Sequence, residues 1–320
     1  MGRQPQVSSV DERMTTHHTQ RAKAARRRTL QENLLAYLFL APTIAVVVLV
    51  LFYPIIRIVI TSFYSQPTYT RPSEFIGWQN YRAILNDPVF PEVVRHTIQW
   101  TIGVTIGQVC LGMYFALLLH QHFPFRGLAR MLVIIPWVIP GIVVAVTWRF
   151  MYNQQMGLIN EVLRAVGLGV YAKSWLGDPK TAMWAVIVVG VWKGFGFYML
   201  MFLAGIQAIP SEIFESARID GAGPLQQVRH ITLPLLRPVM VTSTVLGLIW
   251  TSNYFEAIFI LTGGGPARMT ETFPMYIYNT AFAFYRFEKA RAASNILLLL
   301  VLIGVGFYLL ILSRRKQRIY

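Results

Sequence analysis

The sequence predicts an all-α membrane protein with six transmembrane helices, both termini on the cytoplasmic side. Three observations carry this expectation. Apolar residues make up 55% of the 320 residues and charged ones only 13%. Long apolar runs recur along the chain, and the basic residues gather in blocks beside them. A hydrocarbon core of about 30 Å takes about 20 apolar residues as helix, because every backbone amide in lipid must bond within its own segment.

Six runs meet that demand, over 34–60, 98–119, 131–151, 181–203, 239–261 and 292–312. Residues 1–33 are polar and basic and read as a tail; residues 313–320 form a second, short basic tail, leaving 34–312 as the membrane domain. Arg26, Arg27 and Arg28 precede the first run as they would a signal peptide, but the run is too long and no small-residue cleavage site follows it, so it is expected to be retained. Pro42 and Pro54 in the first run, and Pro136 and Pro140 in the third, predict kinks. Gly103 and Gly107 in the second run and Gly190 and Gly194 in the fourth are small-residue pairs that mark close helix packing. The single cysteine, Cys110, reads as a small core residue, with no disulfide possible inside the chain. Residues 61–97 hold aromatics and prolines, and 155–168 place Ile159, Val162, Leu163 and Val166 at helical spacing, so both are expected to be ordered outer elements. Counting Lys and Arg outside the spans gives 16 on the side of the termini against 10 on the other, which sets the orientation.

Composition also excludes. A net charge of +15 would raise nucleic-acid binding in a soluble protein, but here the basic blocks flank apolar runs and serve membrane orientation, with lipid contact by the N-terminal cluster. The glycine run over 263–266 lacks the Lys and Ser or Thr of a phosphate-binding loop, so no ATP site is expected. The six histidines are scattered, no metal-ligand spacing occurs, and no nucleophile stands with a base, so no cofactor and no catalysis are expected of this chain.

The segment from Glu215 to Pro234, between spans four and five, is rich in helix signals. Ser211 is placed to cap a helix carrying Ile213, Phe214 and Ala217; Asp220-Gly221 supplies a left-handed stop; Gly223-Pro224 opens a second short helix with Leu225, Val228 and Ile231; Pro234 is expected to end it. The product is a compact helical hairpin whose apolar face packs either on the protein's own helix ends or on a partner.

Those residues resemble the EAA loop of binding-protein-dependent ABC importer permeases. Glu215, Ala217, Gly221, Ile231, Leu233 and Pro234 fit its pattern, Asp220 and Ala222 match its carbohydrate branch, and Ser216 and Val228 depart from it. FIGWQNY over 75–81, LTGGGP over 261–266 and TETFPMYIYNTAF over 270–282 are similar to further segments of sugar-importer permeases. The resemblance implies a type I ABC importer permease fold in a bacterial inner membrane, with the loop over 204–238 docked into a cytoplasmic ATPase. It also implies a second homologous permease, two ATPase subunits that hold ATP and magnesium, an extracytoplasmic solute-binding protein and a sugar-like solute.

Ionisable residues inside spans face protein or a wet cavity. Lys193 and Glu256 qualify and are expected to pair, with Trp192 beside Lys193, and Trp250, Asn253 and Tyr254 beside Glu256 offering aromatic faces and hydrogen-bonding groups suited to sugars. A buried structural ion pair with interfacial tryptophans is the competing reading. Arg57 and Arg149 are expected to snorkel. An ion-gradient-driven secondary transporter is the alternative function, disfavoured by the lack of internal repeats and of further intramembrane carboxylates.

Overall fold

Where the long apolar runs bend is decided by proline and by short polar side chains. A computed structural model describes residues 37–67 and 72–316, in two units, one ending at Thr61 and the other beginning at Ser62. The expected tail over 1–33, and residues 317–320 of the C-terminal one, lie outside the described residues. The first unit is α1 (Tyr37–Thr61), whose 25 residues suffice to cross a bilayer core. It widens into a π turn over Val48–Phe52, just ahead of Pro54, which has no N–H to return to Val50. The helix runs on through Pro42.

The second unit contains α2 (Gln79–Leu85), α3 (Phe90–His120), α4 (Arg126–Val138), α5 (Gly141–Met151), α6 (Leu158–Ala165), α7 (Ala182–Gln207), α8 (Ser211–Ile219), α9 (Pro224–Ser252), α10 (Glu256–Leu261), α11 (Phe273–Tyr278) and α12 (Phe287–Lys316). Among the described residues five helices, α1, α3, α7, α9 and α12, are long and apolar enough to span a membrane; α4 and α5 together, bent by 93° at their junction, make a sixth where the pair counts as one span.

Two expected spans differ from the structure. The third is broken, not kinked: Pro136 lies buried inside α4, and Pro140 both lacks an N–H and caps α5, so the helical ladder cannot pass Ile139. The fifth, expected over 239–261, starts earlier and stops sooner. Pro234 does not close the segment, because a π turn over Val228–Thr232 absorbs it and joins the hairpin's second arm to α9 without interruption. At the other end Ser252 Oγ and Asn253 Nδ2 both donate to the Ile249 carbonyl (3.0 and 2.8 Å), a local bonding pattern that competes with continued helix and frees α10 as a separate element.

Within lipid there is little hydrophobic drive between helices, so close packing must come from small residues. The glycine pairs supply it. β-Carbons on Gly103 and Gly107 would lie 3.0 and 2.4 Å from Ile187 and Val191 of α7; those on Gly190 and Gly194 would lie 2.8 and 2.0 Å from Trp100 and Gln108 of α3. Each helix thus receives the other's bulk, and Gln108 Nε2 donates across to the Gly190 carbonyl at 2.9 Å. Cys110 is exposed, not buried as expected: with Ile102, Ile106 and Tyr114 it forms the exposed stripe of α3, at fourfold spacing, away from α7.

Beyond the N-terminal end of α7, α6 confirms the helical spacing seen in 155–168. Its anchor is Asn160, fully buried, which donates to the Gln154 and Lys173 carbonyls and accepts from Trp175 Nε1 at 2.8 Å. The FIGWQNY segment is pinned similarly: Asn80 donates to the Ser62 and Tyr64 carbonyls, while Tyr81 Oη meets Ser62 Oγ and Asn295 of α12.

Candidate functional site

Two places gather the candidate residues, the hairpin of α8 and α9 and a cavity at the level of the broken spans. In the hairpin, α8 is capped by Pro210, and Ser211 occupies the first helical position without a capping bond. Its other end closes as expected. Gly221 has φ +80, the Ala222 N–H returns to the Ala217 carbonyl at 2.8 Å and the Gly221 N–H to Arg218 at 3.1 Å, the paired bonds of a glycine-terminated helix. Pro224 then opens α9, and Gln226 Oε1 accepts the Gly223 N–H at 2.8 Å. Ala217 and Ala222 therefore lie at the core of a tight turn, and Asp220 is exposed on it.

The apolar side chains of the hairpin divide. Phe214 turns inward against the His120 ring, with centroids 6.4 Å apart. Ile219 and Leu225, on either side of the Gly221 turn, are 87% and 80% exposed. Beside them a cleft of about 1140 Å³ separates α8 from the α3–α4 turn, with Glu212 and Glu215 on one wall and His120, His122 and Arg126 on the other. Ile231 and Leu233 are half-buried and Pro234 is exposed further along α9.

The cavity, of about 240 Å³, lies among α3, α4, α7, α9, α10 and the start of α5. Lys193, Trp250, Tyr254 and Glu256 all line it. Asn253 does not: its amide is spent on the Ile249 carbonyl at the end of its own helix. Trp192 packs edge-on against Trp148 instead, centroids 5.6 Å apart. Further walls come from Gln108, Trp137, Tyr198 and Thr251. Tyr198 is 1% exposed, and its hydroxyl has no hydrogen-bond partner among the described residues. Trp250 lies edge-to-face with Phe197 at 5.1 Å.

Lys193 and Glu256 do not form an ion pair with one another. Lys193 Nζ donates to the Trp137 carbonyl at 2.5 Å, and the Glu256 carboxylate lies against Gly141. Arg149 does more than snorkel, since its Nη1 donates to the Ile260 carbonyl at 3.2 Å.

The LTGGGP turn leads from α10 to a loop closed by one buried carboxylate. Gly263 and Gly264 have φ +60 and +88, and Glu271, 1% exposed, pairs with Arg268 and accepts from Asn279 Nδ2 at 2.8 Å. The Glu271 carboxylate holds the Arg268 guanidinium above its ordinary pKa, and burial, with Asp87 alongside, pushes Tyr276 up to about 12.

Residues 108–317 match the family described as the binding-protein-dependent transport system inner membrane component. The chain belongs to this family. The permease is 34% identical over 288 residues to the trehalose/maltose transport system permease protein MalF of Thermococcus litoralis, covering 90% of this chain and 96% of that one. It is also 34% identical to the sulfoquinovosyl glycerol transport system permease protein SmoG of Agrobacterium fabrum, covering 89% and 92%. A crystal structure of a bacterial ABC transporter involved in the import of the acidic polysaccharide alginate shares the fold, with a TM-score of 0.79 at 23% identity over 92% of this chain and 99% of that one. The permease is thus a multi-pass membrane subunit of an ABC transporter and works with the other components of such an assembly.

Among the wall residues of the permease's cavity that the sequence did not single out are Gln108, Trp137, Tyr198 and Thr251. Gln108 carried a signal, as a lone amide one residue from a packing glycine inside a span. Tyr198, Trp137 and Thr251 carried none, because each acts through a backbone or a neighbour supplied by another helix.

Proposed function

We propose that the chain is one transmembrane half of a bacterial inner-membrane importer for a sugar or sugar derivative, with its permease domain over 34–312 and both termini in the cytoplasm. A second homologous permease completes the pathway, two cytoplasmic ATPase subunits hold ATP and magnesium, and an extracytoplasmic binding protein delivers solute; this chain binds neither nucleotide nor metal. The sugar assignment is supported by the trehalose/maltose and sulfoquinovosyl glycerol transport systems to which the two relatives belong.

The observation that carries the coupling role is the hairpin tip. Two large apolar side chains, Ile219 and Leu225, stand in the open on a turn locked by Gly221, and the short α8, joined by that turn to the continuous α9, transmits a push that a flexible loop would absorb. Glu215 and Asp220 serve as polar anchors to the ATPase, Ala217, Gly221 and Ala222 permit close approach, and Ile231, Leu233 and Pro234 carry the movement into α9. Solute passes the cavity, where Trp250 and Tyr254 offer ring faces and Tyr198 and Gln108 offer hydrogen bonds, an arrangement suited to a polyhydroxylated ring.

The test is reconstitution of the assembled complex with Glu215→Lys or Gly221→Pro. Both variants are expected to insert normally while solute-stimulated ATP hydrolysis separates from uptake. Normal coupling in both would remove the hairpin from the mechanism.

A further inference from the structure

At both breaks a side chain from a neighbouring helix donates to the carbonyl whose regular helical partner is lost. In a continuous third span the Gly141 N–H would bond the Trp137 carbonyl; across the 93° bend that carbonyl accepts Lys193 Nζ at 2.5 Å. In a continuous fifth span the Phe255 N–H would bond the Thr251 carbonyl; at the break that carbonyl accepts the Tyr254 N–H at 3.2 Å in a tighter turn, with Trp100 Nε1 donating beside it at 2.9 Å. The segments beyond the two breaks, α5 and α10, then pack on each other side by side in the same direction. At their starting ends a β-carbon on Gly141 would lie 2.4 Å from Glu256 Oε2 and 2.7 Å from the Tyr254 hydroxyl; at their far ends Arg149 Nη1 reaches the Ile260 carbonyl at 3.2 Å. Val144, Ala145, Ala257, Ile258 and Leu261 bury the seam between.

The charges sit where helix ends favour them. An ammonium lies on the carbonyl end of α4, a carboxylate at the amide end of α5, and a guanidinium at the carbonyl end of α10. Glu256 and Lys193 both line the cavity, yet Lys193 bonds the elbow's carbonyl and the Glu256 carboxylate lies against Gly141 at the same bend.

We propose that α5 and α10 move as one body about these two breaks, and that Lys193 and Glu256 are positioning residues that set its angle over the cavity without contacting solute. The proposal rests on the reading of the cavity as the solute pathway. It separates the two charged residues from Trp250, Tyr254, Tyr198 and Gln108, which remain as the solute-facing groups.

The test uses the whole reconstituted complex in lipid discs, with Cys110→Ser to clear the exposed native thiol and spin labels at exposed positions. One pair, at Leu132 and Val146, reports the elbow; the other, at Val146 and Phe259, reports the α5–α10 body. On adding a non-hydrolysable ATP analogue and loaded binding protein, the elbow distance is expected to shift while the body distance stays fixed. In Lys193→Met the elbow distribution broadens and the maximal uptake rate falls about tenfold, with half-saturation held within about twofold, and Lys193→Arg restores both. Glu256→Gln likewise leaves half-saturation unchanged. A body distance that shifts together with the elbow, or a tenfold rise in half-saturation with unaltered distances, overturns the proposal. Both wild-type distances are readable even where a variant fails to assemble. Absence of ATP-dependent uptake by the wild-type complex would instead sink the importer reading, and the distances would still decide whether α5 and α10 move together.

Discussion

The Tyr198 hydroxyl occupies the space that a side chain on Gly247 would fill, 1.6 Å from where its β-carbon would stand. Gly247 on α9 is therefore a clearance for a buried phenol of α7, one of the residues around the cavity. Gly247→Ala must push the ring aside, and overpacking of this kind costs about 1–3 kcal/mol. The thermal midpoint of the purified complex is expected to drop by several degrees, and adding Tyr198→Phe should recover part of the loss, the two changes being coupled. A Gly247→Ala complex as stable as wild type would contradict the packing.

Tyr198→Phe alone separates folding from transport. A buried hydroxyl with no partner costs about 1–3 kcal/mol, so its removal is expected to leave the permease as stable or more stable. If a solute hydroxyl fills that vacancy during transport, the half-saturation of uptake rises by about three- to tenfold, corresponding to one neutral hydrogen bond. Unchanged half-saturation would exclude Tyr198 from the solute path.

At the hairpin tip, Ile219→Ser with Leu225→Ser is expected to leave the permease folded, because both side chains are already in water in the isolated subunit. Burying each against a partner is worth about 1.5–3 kcal/mol, so the double variant should weaken ATPase binding by well over about tenfold. Retention of the ATPase at equal dilution during gel filtration would remove these residues from the contact.

The turn of the hairpin was legible in the sequence because its signals are local: Gly221 and Gly223-Pro224 specify their own backbone, whereas the expected cap at Ser211 and stop at Pro234 were overridden by Pro210 and by the π turn. Helix packing between spans two and four was legible for the same reason, since glycines four residues apart fall on one face. The broken spans were not. Whether Pro140 kinks or breaks its span depends on who satisfies the freed Trp137 carbonyl, and the donor is Lys193, 56 residues away in the chain; at the other break Trp100, 151 residues from Thr251, adds its bond. That distance also explains why Lys193 and Glu256 read as partners of one another: two lone charges in apolar surroundings call for counter-charges, and helix ends are invisible until the break is seen. Asn253 illustrates the converse, a polar residue whose amide is spent ending its own helix.

In the loop after α10, Glu271 accepts from Asn279 and pairs with Arg268, whose own backbone is held at φ +64. Glu271→Gln keeps an acceptor for Asn279 but removes the charge, and Arg268 is partly solvated, so the expected loss is about 1–2 kcal/mol, below that of a fully buried pair. Local opening should show first, as faster amide hydrogen exchange over 262–271 with α7 unaffected. Exchange that rises equally in both segments would mean that the carboxylate supports the whole fold, not this loop.

Two glycines test whether the α3–α7 seam or glycine content as such holds the membrane helices together. Gly194 on α7 has Gln108 Nε2 2.0 Å from its would-be β-carbon, and Gln108 is tied to the neighbouring Gly190 carbonyl, so the amide cannot swing away without losing a bond inside the membrane. Gly304 on α12 has nothing within 4 Å of the same point. Alanine improves intrinsic helix propensity by roughly 1 kcal/mol at both sites, so propensity alone predicts two stabilised variants. Packing reverses the sign at one of them: Gly194→Ala forces α3 and α7 apart or breaks the Gln108 bond, at about 1–3 kcal/mol, while Gly304→Ala stays neutral or gains. Thermal unfolding of the two purified variants side by side reads the difference directly, and equal shifts in both would show that the seam yields without cost.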